Sequence, residues 1–100
     1  MRLFLDVHDR KNKTFPAEIS RDEFEAFLGA FAKSCDREGV AIVRSHVNLG
    51  CGRAFCLTMA EDEEAVRRAH AEVHLPFDSI TEVETASPHD AFFEREKRAA

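Results

Sequence analysis

The chain has 100 residues, of which 44% are hydrophobic and 33% are charged, and a formal net charge of -5 at pH 7. This length and composition are those of one ordered globular domain with its own hydrophobic core. The acidic balance argues against nucleic-acid binding, which needs a basic surface to contact phosphates. The sequence shows no apolar run of about 20 residues and no signal-peptide pattern, so we expect no membrane span. The three cysteines lack a disulfide-framework spacing, and we therefore expect a cytoplasmic protein.

The first predicted elements are a strand over residues 2–8 and a helix that begins after Ser20. In the strand, apolar and other residues alternate with a period of two, which gives the two faces different character. Ser20 and Glu23 have the spacing of a capping box, and the helix that follows carries apolar residues at intervals of three and four. We place Phe27 at the buried middle of this apolar stripe. We expect the phenylalanines of the helix to fill the space above the sheet rather than to line a pocket.

The second half of the chain predicts a hairpin, a helix and a short strand. Residues 40–49 and 53–59 are rich in strand formers and are separated by a glycine-containing turn. An acidic run at 61–64 marks the start of a second helix, because acidic side chains stabilise helix N-termini, and Pro76 ends it. Residues 79–84 form the last strand.

The element order β-α-β-β-α-β is typical of the ferredoxin-like split βαβ fold of the α+β class. It predicts an antiparallel sheet in the spatial order 4-1-3-2, with both helices on one face. Residues 1–84 form the domain, and residues 85–100 form a C-terminal tail with a possible short helix. We expect a homodimer on the uncovered sheet face, where we place Phe4, and we expect Phe92 and Phe93 of the tail to help cover that face.

The topology predicts that four histidines lie at one end of the domain. Strand 1 ends at His8 and strand 2 ends near His46, and the second helix returns to the same end with His70, His74 and then Asp78. His70 and His74 share a helix face, since residues four apart are neighbours on a helix surface. Each of these histidines has a purely structural alternative, such as a hydrogen bond at a strand end. Together they favour a metal site better than any one of them does.

The candidate ligand set combines imidazole and carboxylate groups, which suit Ni²⁺, Zn²⁺ and Cu²⁺. Asp6 joins it because Asp6 and His8 lie on the same strand face. We expect an open surface site of micromolar affinity, and we expect His89 in the tail to be solvated. The candidate metal ligands are His8, His70, His46, His74, Asp78 and Asp6.

Five sequence blocks resemble a known family when taken in order: Asp6-Val7-His8, Gly39-Val40, Phe55-Cys56-Leu57, Glu64-Ala65-Val66-Arg67-Arg68-Ala69-His70, and Pro76-Phe77-Asp78-Ser79-Ile80-Thr81-Glu82-Val83. Over residues 2–84 the chain resembles the small ferredoxin-like nickel-binding family of bacteria, long catalogued as a domain of unknown function. The resemblance implies the split βαβ fold, a homodimer, and nickel sequestration through surface histidines.

The resemblance also assigns individual residues. Two histidines and two carboxylates match those of the family blocks: His8, His70, Asp6 and Asp78. Three features depart from the family pattern: the first helix has no histidine, His46 stands where an aromatic residue is usual, and His74 stands where glycine is usual. A nickel site of the family type is therefore either incomplete here or rebuilt from His46 and His74.

Three functions remain open from the sequence. The first is a non-catalytic protein that binds nickel or another divalent transition metal for sequestration or sensing. The second is a small enzyme of the dimeric ferredoxin-like class, in which His8 acts as general base and is held by Asp6 or Asp78; this rests on fold analogy. The third is a homodimeric interaction module without metal. An apolar pocket between helices and sheet would favour an enzyme, whereas exposed histidines would favour sequestration.

Overall fold

The computed structural model describes residues 1–88, and His89, Phe92 and Phe93 lie outside these described residues. The elements in chain order are β1 (Arg2–Asp9), a short 3-10 helix (Arg10–Asn12), α1 (Arg21–Arg37), β2 (Ala41–Asn48), β3 (Arg53–Ala60), α2 (Glu63–Glu72) and β4 (Ser79–Val83). All neighbouring strands are antiparallel, in the order β2-β3-β1-β4. The predicted α+β fold and its ferredoxin-like strand order are confirmed. In the described part of the chain, no helix is long and apolar enough to cross a membrane.

The start of α1 follows from its capping box. The Glu23 backbone N–H donates to Ser20 Oγ at 3.1 Å, and the Ser20 backbone N–H donates to Glu23 Oε1 at 3.0 Å. These two bonds satisfy donors that have no partner inside the helix. Asp62 caps α2 in a similar way, because its carboxylate accepts from the Ala65 backbone N–H at 2.9 Å.

The two faces of β1 differ in the residues that they bury. Phe4, Asp6 and His8 point toward the helices and are buried, whereas the intervening apolar residues lie half-buried on the other face. Our placement of Phe4 on the uncovered face is wrong, since this side chain is fully buried in the core. The inward face holds the polar Asp6 and His8 as well, and they are tolerated there because they pair with each other and with α2.

The core between α1, α2 and the sheet is centred one turn further along α1 than predicted. Phe31 and Cys35 are 2% and 1% exposed and pack in the cluster that contains Phe4 and Val66. Phe27 is only half-buried and does not belong to this cluster, so our placement of Phe27 at the buried middle of the stripe is wrong.

Strand β2 contains an irregularity that changes which side chains face the helices. Ile42 pairs with Thr58, but Arg44 pairs with Leu57, so Val43 is an extra residue on the β2 side. Such a bulge shifts the alternation of inward and outward residues by one position. Beyond the bulge, Ser45 faces the helices: its hydroxyl donates to Cys56 Sγ at 3.2 Å.

The uncovered face of the sheet carries a contiguous set of half-buried apolar side chains. They come from the two central strands, which pair Leu3 with Met59, Leu5 with Leu57, and Val7 with Phe55: the set is Leu3, Leu5, Val7, Phe55, Leu57 and Met59. We call these six residues the open apolar face. No element in the described range of residues 1–88 covers it, and it is the surface on which the homodimer is predicted.

Phe31 is the side chain of α1 whose truncation should cost the most stability. We expect Phe31→Ala to lower the free energy of unfolding by about 3 to 5 kcal/mol, because it leaves a cavity in the core. Phe27→Ala should cost clearly less, since Phe27 is half-buried and outside the core cluster. Urea denaturation of both variants measures the difference. A larger loss for Phe27→Ala would contradict this description of the core.

The homodimer prediction can be tested on the open apolar face. Leu57 lies in a central strand opposite Leu5, so Leu57→Lys would place a charge in the middle of this face. We expect the full-length chain to sediment as a dimer at micromolar concentration and Leu57→Lys to sediment as a monomer. Glu25→Lys, on the exposed surface of α1, is the control and should remain dimeric. A monomeric unsubstituted chain would contradict the prediction.

Candidate metal centre

Asp6, His8 and His70 meet beneath α2 in the interior of the domain. Asp6 Oδ2 lies 2.6 Å from His8 Nε2 and 3.1 Å from His70 Nε2. Asp6 is 0% exposed, His70 is 1% exposed and His8 is 5% exposed. One potential ligand atom from each residue lies within 4.8 Å of the other two. Among the residues that the structure describes, this is the one group of three such side chains that could hold a metal ion.

Backbone carbonyl groups fix the orientation of both imidazole rings. His8 Nδ1 donates to the Pro76 carbonyl oxygen at 2.7 Å, and His70 Nδ1 donates to the Val66 carbonyl oxygen at 2.8 Å. A carbonyl oxygen can only accept, so each ring is assigned a proton on Nδ1, and only a ring with a second proton on Nε2 donates to Asp6. Both Nε2 atoms therefore point at one carboxylate oxygen. These two carbonyl partners have no sequence signal, because they are backbone groups.

The end of α2 places His70 and brings Pro76 back over the site. The Leu75 backbone N–H donates to the His70 carbonyl at 2.9 Å, and the His74 backbone N–H donates to the Ala71 carbonyl at 3.1 Å. This pattern is a Schellman motif, which needs a left-handed residue after the helix. His74 is that residue, with φ of 54°. Glycine adopts this conformation most easily, which fits the family pattern at this position.

Aromatic rings enclose the two imidazoles. The rings of His8 and His70 are stacked at a centroid distance of 5.7 Å, and Phe31 and Phe77 meet the His70 ring edge-on at 4.7 and 5.2 Å. These contacts exclude water from one side of the cluster. They also keep the His70 ring in place, since a packed ring has few rotamers available.

The charges of Asp6 and His8 stabilise each other. Burial disfavours the charged form of His8, but the hydrogen bond and charge of Asp6 outweigh this effect and raise the pKa of His8 above its ordinary value. Burial would by itself raise the pKa of Asp6, but hydrogen bonds from His70 and His8 hold that pKa below its ordinary value. The carboxylate is therefore ionised at neutral pH.

The other predicted ligands do not join this cluster. His46 pairs with Phe55 and is exposed on the opposite face of the sheet, because the bulge at Val43 reverses the alternation of β2. His74 is exposed at the end of α2. Asp78 lies near the same end of the sheet, but its carboxylate accepts from Thr14 Oγ1 at 2.6 Å and from Asn12 Nδ2 at 2.9 Å.

A cavity of about 290 Å³ opens beside the cluster, between α1 and the sheet. Asp6 and His8 lie at its polar end, and Phe24, Phe27 and Phe31 of α1 line its apolar wall. The expectation that these phenylalanines fill the space is wrong. They line a cavity because the side chains opposite them, such as Ser45 and Ala54, are small.

The cysteines near the site do not supply a thiolate. Burial, together with the negative charge of Asp6, raises the pKa of Cys56 to about 12. Burial likewise raises the pKa of Cys35 to about 12. Thiols with such pKa values stay protonated at neutral pH in the metal-free protein, which makes them poor nucleophiles.

Comparison with known proteins identifies the family. A family model described as "Nickel responsive protein SCO4226-like" matches residues 4–83, which include the described strands and helices except the first two residues of β1, and the three residues of the cluster. The chain belongs to this SCO4226-like family. It is similar to the crystal structure of SCO4226 from Streptomyces coelicolor A3(2), with a TM-score of 0.71 and 25% sequence identity over 85% of this chain and 99% of that chain. Among curated proteins, none matches this sequence.

The Asp6–His8 pair should make the stability of the metal-free protein depend on pH. The contribution of His8 to the free energy of unfolding is fully present below its ordinary pKa of about 6.5. It is lost as pH rises through the raised pKa of His8 in the folded protein. The contribution of Asp6 to the free energy of unfolding is present above its ordinary pKa of about 4. It is lost as pH falls through the lowered pKa of Asp6 in the folded protein. The pair therefore stabilises most between about pH 4 and pH 6.5.

Urea denaturation in chelator, repeated across this pH range for the unsubstituted protein and for Asp6→Asn, measures the effect. Asparagine keeps the shape but not the charge, so we expect the difference between the two proteins to be largest inside the window and to shrink above it. Two stability curves that run parallel at all pH values would show that the pair does not contribute.

Proposed function

We propose that this protein binds a divalent transition-metal ion of the nickel type through Asp6, His8 and His70, and that it sequesters or senses the ion. The apolar cavity beside His8 favours a small enzyme with His8 as general base as the second candidate. The observation that carries the proposal is the convergence of two imidazole nitrogens and one carboxylate oxygen within 4.8 Å. Membership of a family described as nickel-responsive supports the same conclusion.

The protonation pattern of the cluster explains why a cation is favoured there. When each ring carries only its Nδ1 proton, His8 Nε2, His70 Nε2 and Asp6 Oδ2 are three acceptors directed at one another. Acceptors at such distances repel unless a proton or a metal ion lies between them. Protons and metal ions therefore compete for the same place.

The donor set fits a first-row transition metal. Imidazole nitrogen and carboxylate oxygen suit Ni²⁺, Zn²⁺ and Cu²⁺, and affinity alone would favour copper. The Pro76 and Val66 carbonyls orient the rings as outer-shell partners do in metal sites, and such partners typically improve affinity about 10- to 100-fold. The expectation of an open surface site is wrong, since His8 and His70 are buried. We therefore expect tighter binding than the micromolar affinity of such a site. Three protein ligands leave the remaining positions to water.

This proposal uses three of the six residues that the sequence offered as ligands. His46 is left out because it lies on the other face of the sheet. Asp78 is left out because Thr14 and Asn12 already hold its carboxylate. His74 is left out because it is exposed and its place in the Schellman motif accounts for its position.

Calorimetry on chelator-treated, tag-free protein tests the metal site. We expect the unsubstituted chain to bind one Ni²⁺, Zn²⁺ or Cu²⁺ ion per chain and the His8→Ala/His70→Ala variant to lose this binding. Affinity should fall as pH drops through the raised pKa of His8, since protons displace the ion. Saturating metal at 100 times Kd should raise the free energy of unfolding by about 2.7 kcal/mol.

His46→Ala is the matched control, because it removes an exposed histidine from the opposite face of the sheet. It should keep the affinity of the unsubstituted chain. Circular dichroism checks that each variant is folded, and Asp6→Asn provides a milder change if the double variant unfolds. Unchanged affinity in a folded double variant would contradict the proposal, and loss of affinity in His46→Ala would move the site to the other face.

A further inference from the structure

The cavity beside the cluster is large enough to hold a small molecule. Its volume is about 290 Å³, whereas a cavity of about 150 Å³ lined by apolar side chains is enough to bind benzene. Phe24 and Phe27 contribute to its wall and lie outside the core cluster. Their rings therefore present apolar surface to the cavity rather than to the core.

The polar end of the cavity contains an unpartnered acceptor. Asp6 is 0% exposed and lines the cavity, and its Oδ1 atom has no hydrogen-bond partner among the described residues. The other oxygen of the same carboxylate accepts from the two histidines. A buried carboxylate oxygen is stabilised when it receives a hydrogen bond, so this atom favours an occupant that carries a donor.

The cavity also has an entrance. Lys13, Pro16 and His74 contribute to its lining and are exposed, whereas Phe31, Cys56 and Asp6 at the opposite side are buried. A small molecule can therefore reach the buried carboxylate from solvent between the α2–β4 connection and the loop that precedes α1.

We propose that this cavity binds a small, mainly apolar ring compound that carries a hydroxyl group, such as a phenol or an alicyclic alcohol. The ring packs against the phenylalanines of α1, and the hydroxyl donates a hydrogen bond to Asp6 Oδ1. The volume admits one or two rings. The apolar lining and the single unpartnered acceptor select for an uncharged body with a donor at one end.

The cavity site and the proposed metal site use different atoms. It uses Oδ1 of Asp6 and the wall formed by α1, whereas the proposed metal site uses the imidazole Nε2 atoms and Oδ2. Binding can therefore be measured in the presence of chelator. Failure of metal binding would leave the cavity proposal standing, and failure of ring-compound binding would leave the metal proposal standing.

The test uses β-naphthol and its methyl ether as matched probes, with the full chain in chelator. The protein has no Trp and no Tyr, so the fluorescence of a naphthyl probe is measured without protein background. We expect one β-naphthol to bind per chain, with an affinity about tenfold higher than that of the methyl ether, because only the phenol donates to a carboxylate. Asp6→Asn should reduce this preference.

Ala54→Leu provides the steric arm of the test. Ala54 is buried and lines the cavity, so a leucine at this position fills part of it and should prevent binding of both probes. Ala41→Leu makes the same change on the exposed surface of β2 and should leave binding intact. Absence of β-naphthol binding to the unsubstituted chain, equal affinities for the two probes, or full binding in a folded Ala54→Leu variant would each overturn the proposal.

Discussion

The buried carboxylate of Asp6 is the group on which the arrangement of this domain depends. It belongs to β1, and it is met by His8 of the same strand and by His70 of α2. Each ring is held in turn by a backbone carbonyl, one at the middle of α2 and one in the connection to β4. An ion buried without partners is strongly destabilising, so β1, α2 and the α2–β4 connection can occupy their positions only together.

The side chains of β1 alternate between the two faces of the sheet, and each face has a different role. Its inward residues supply Phe4 to the core and Asp6 and His8 to the candidate metal centre. Its outward residues supply half of the open apolar face. A shift of the strand register by one residue would expose Phe4, Asp6 and His8 and bury the outward apolar residues of β1. The metal centre and the predicted dimer surface therefore both require the same register of β1.

The convergence of His8 and His70 could be predicted from the sequence, because the element order alone decides which strand and helix ends meet. The position of His46 could not. Simple alternation from Ile42 places His46 on the inward face, but Val43 is an extra residue opposite Thr58 and Leu57 and reverses the pattern. A bulge has no fixed sequence signal in a strand of β-branched residues. The carbonyl partners of the two imidazoles were equally unpredictable, because any residue can supply a backbone carbonyl.

The same bulge also accounts for the cavity. Without it, Arg44 would pair with Cys56 and His46 with Ala54, and these long side chains would face α1 beside Asp6. With it, Ser45 takes the place opposite Cys56, and its short side chain leaves the space under Phe24 and Phe27 open. The extra residue in β2 thus turns His46 away from the helices and leaves the apolar cavity open next to the candidate metal centre. The orientation of His46 and the presence of the cavity are therefore two consequences of a single backbone feature.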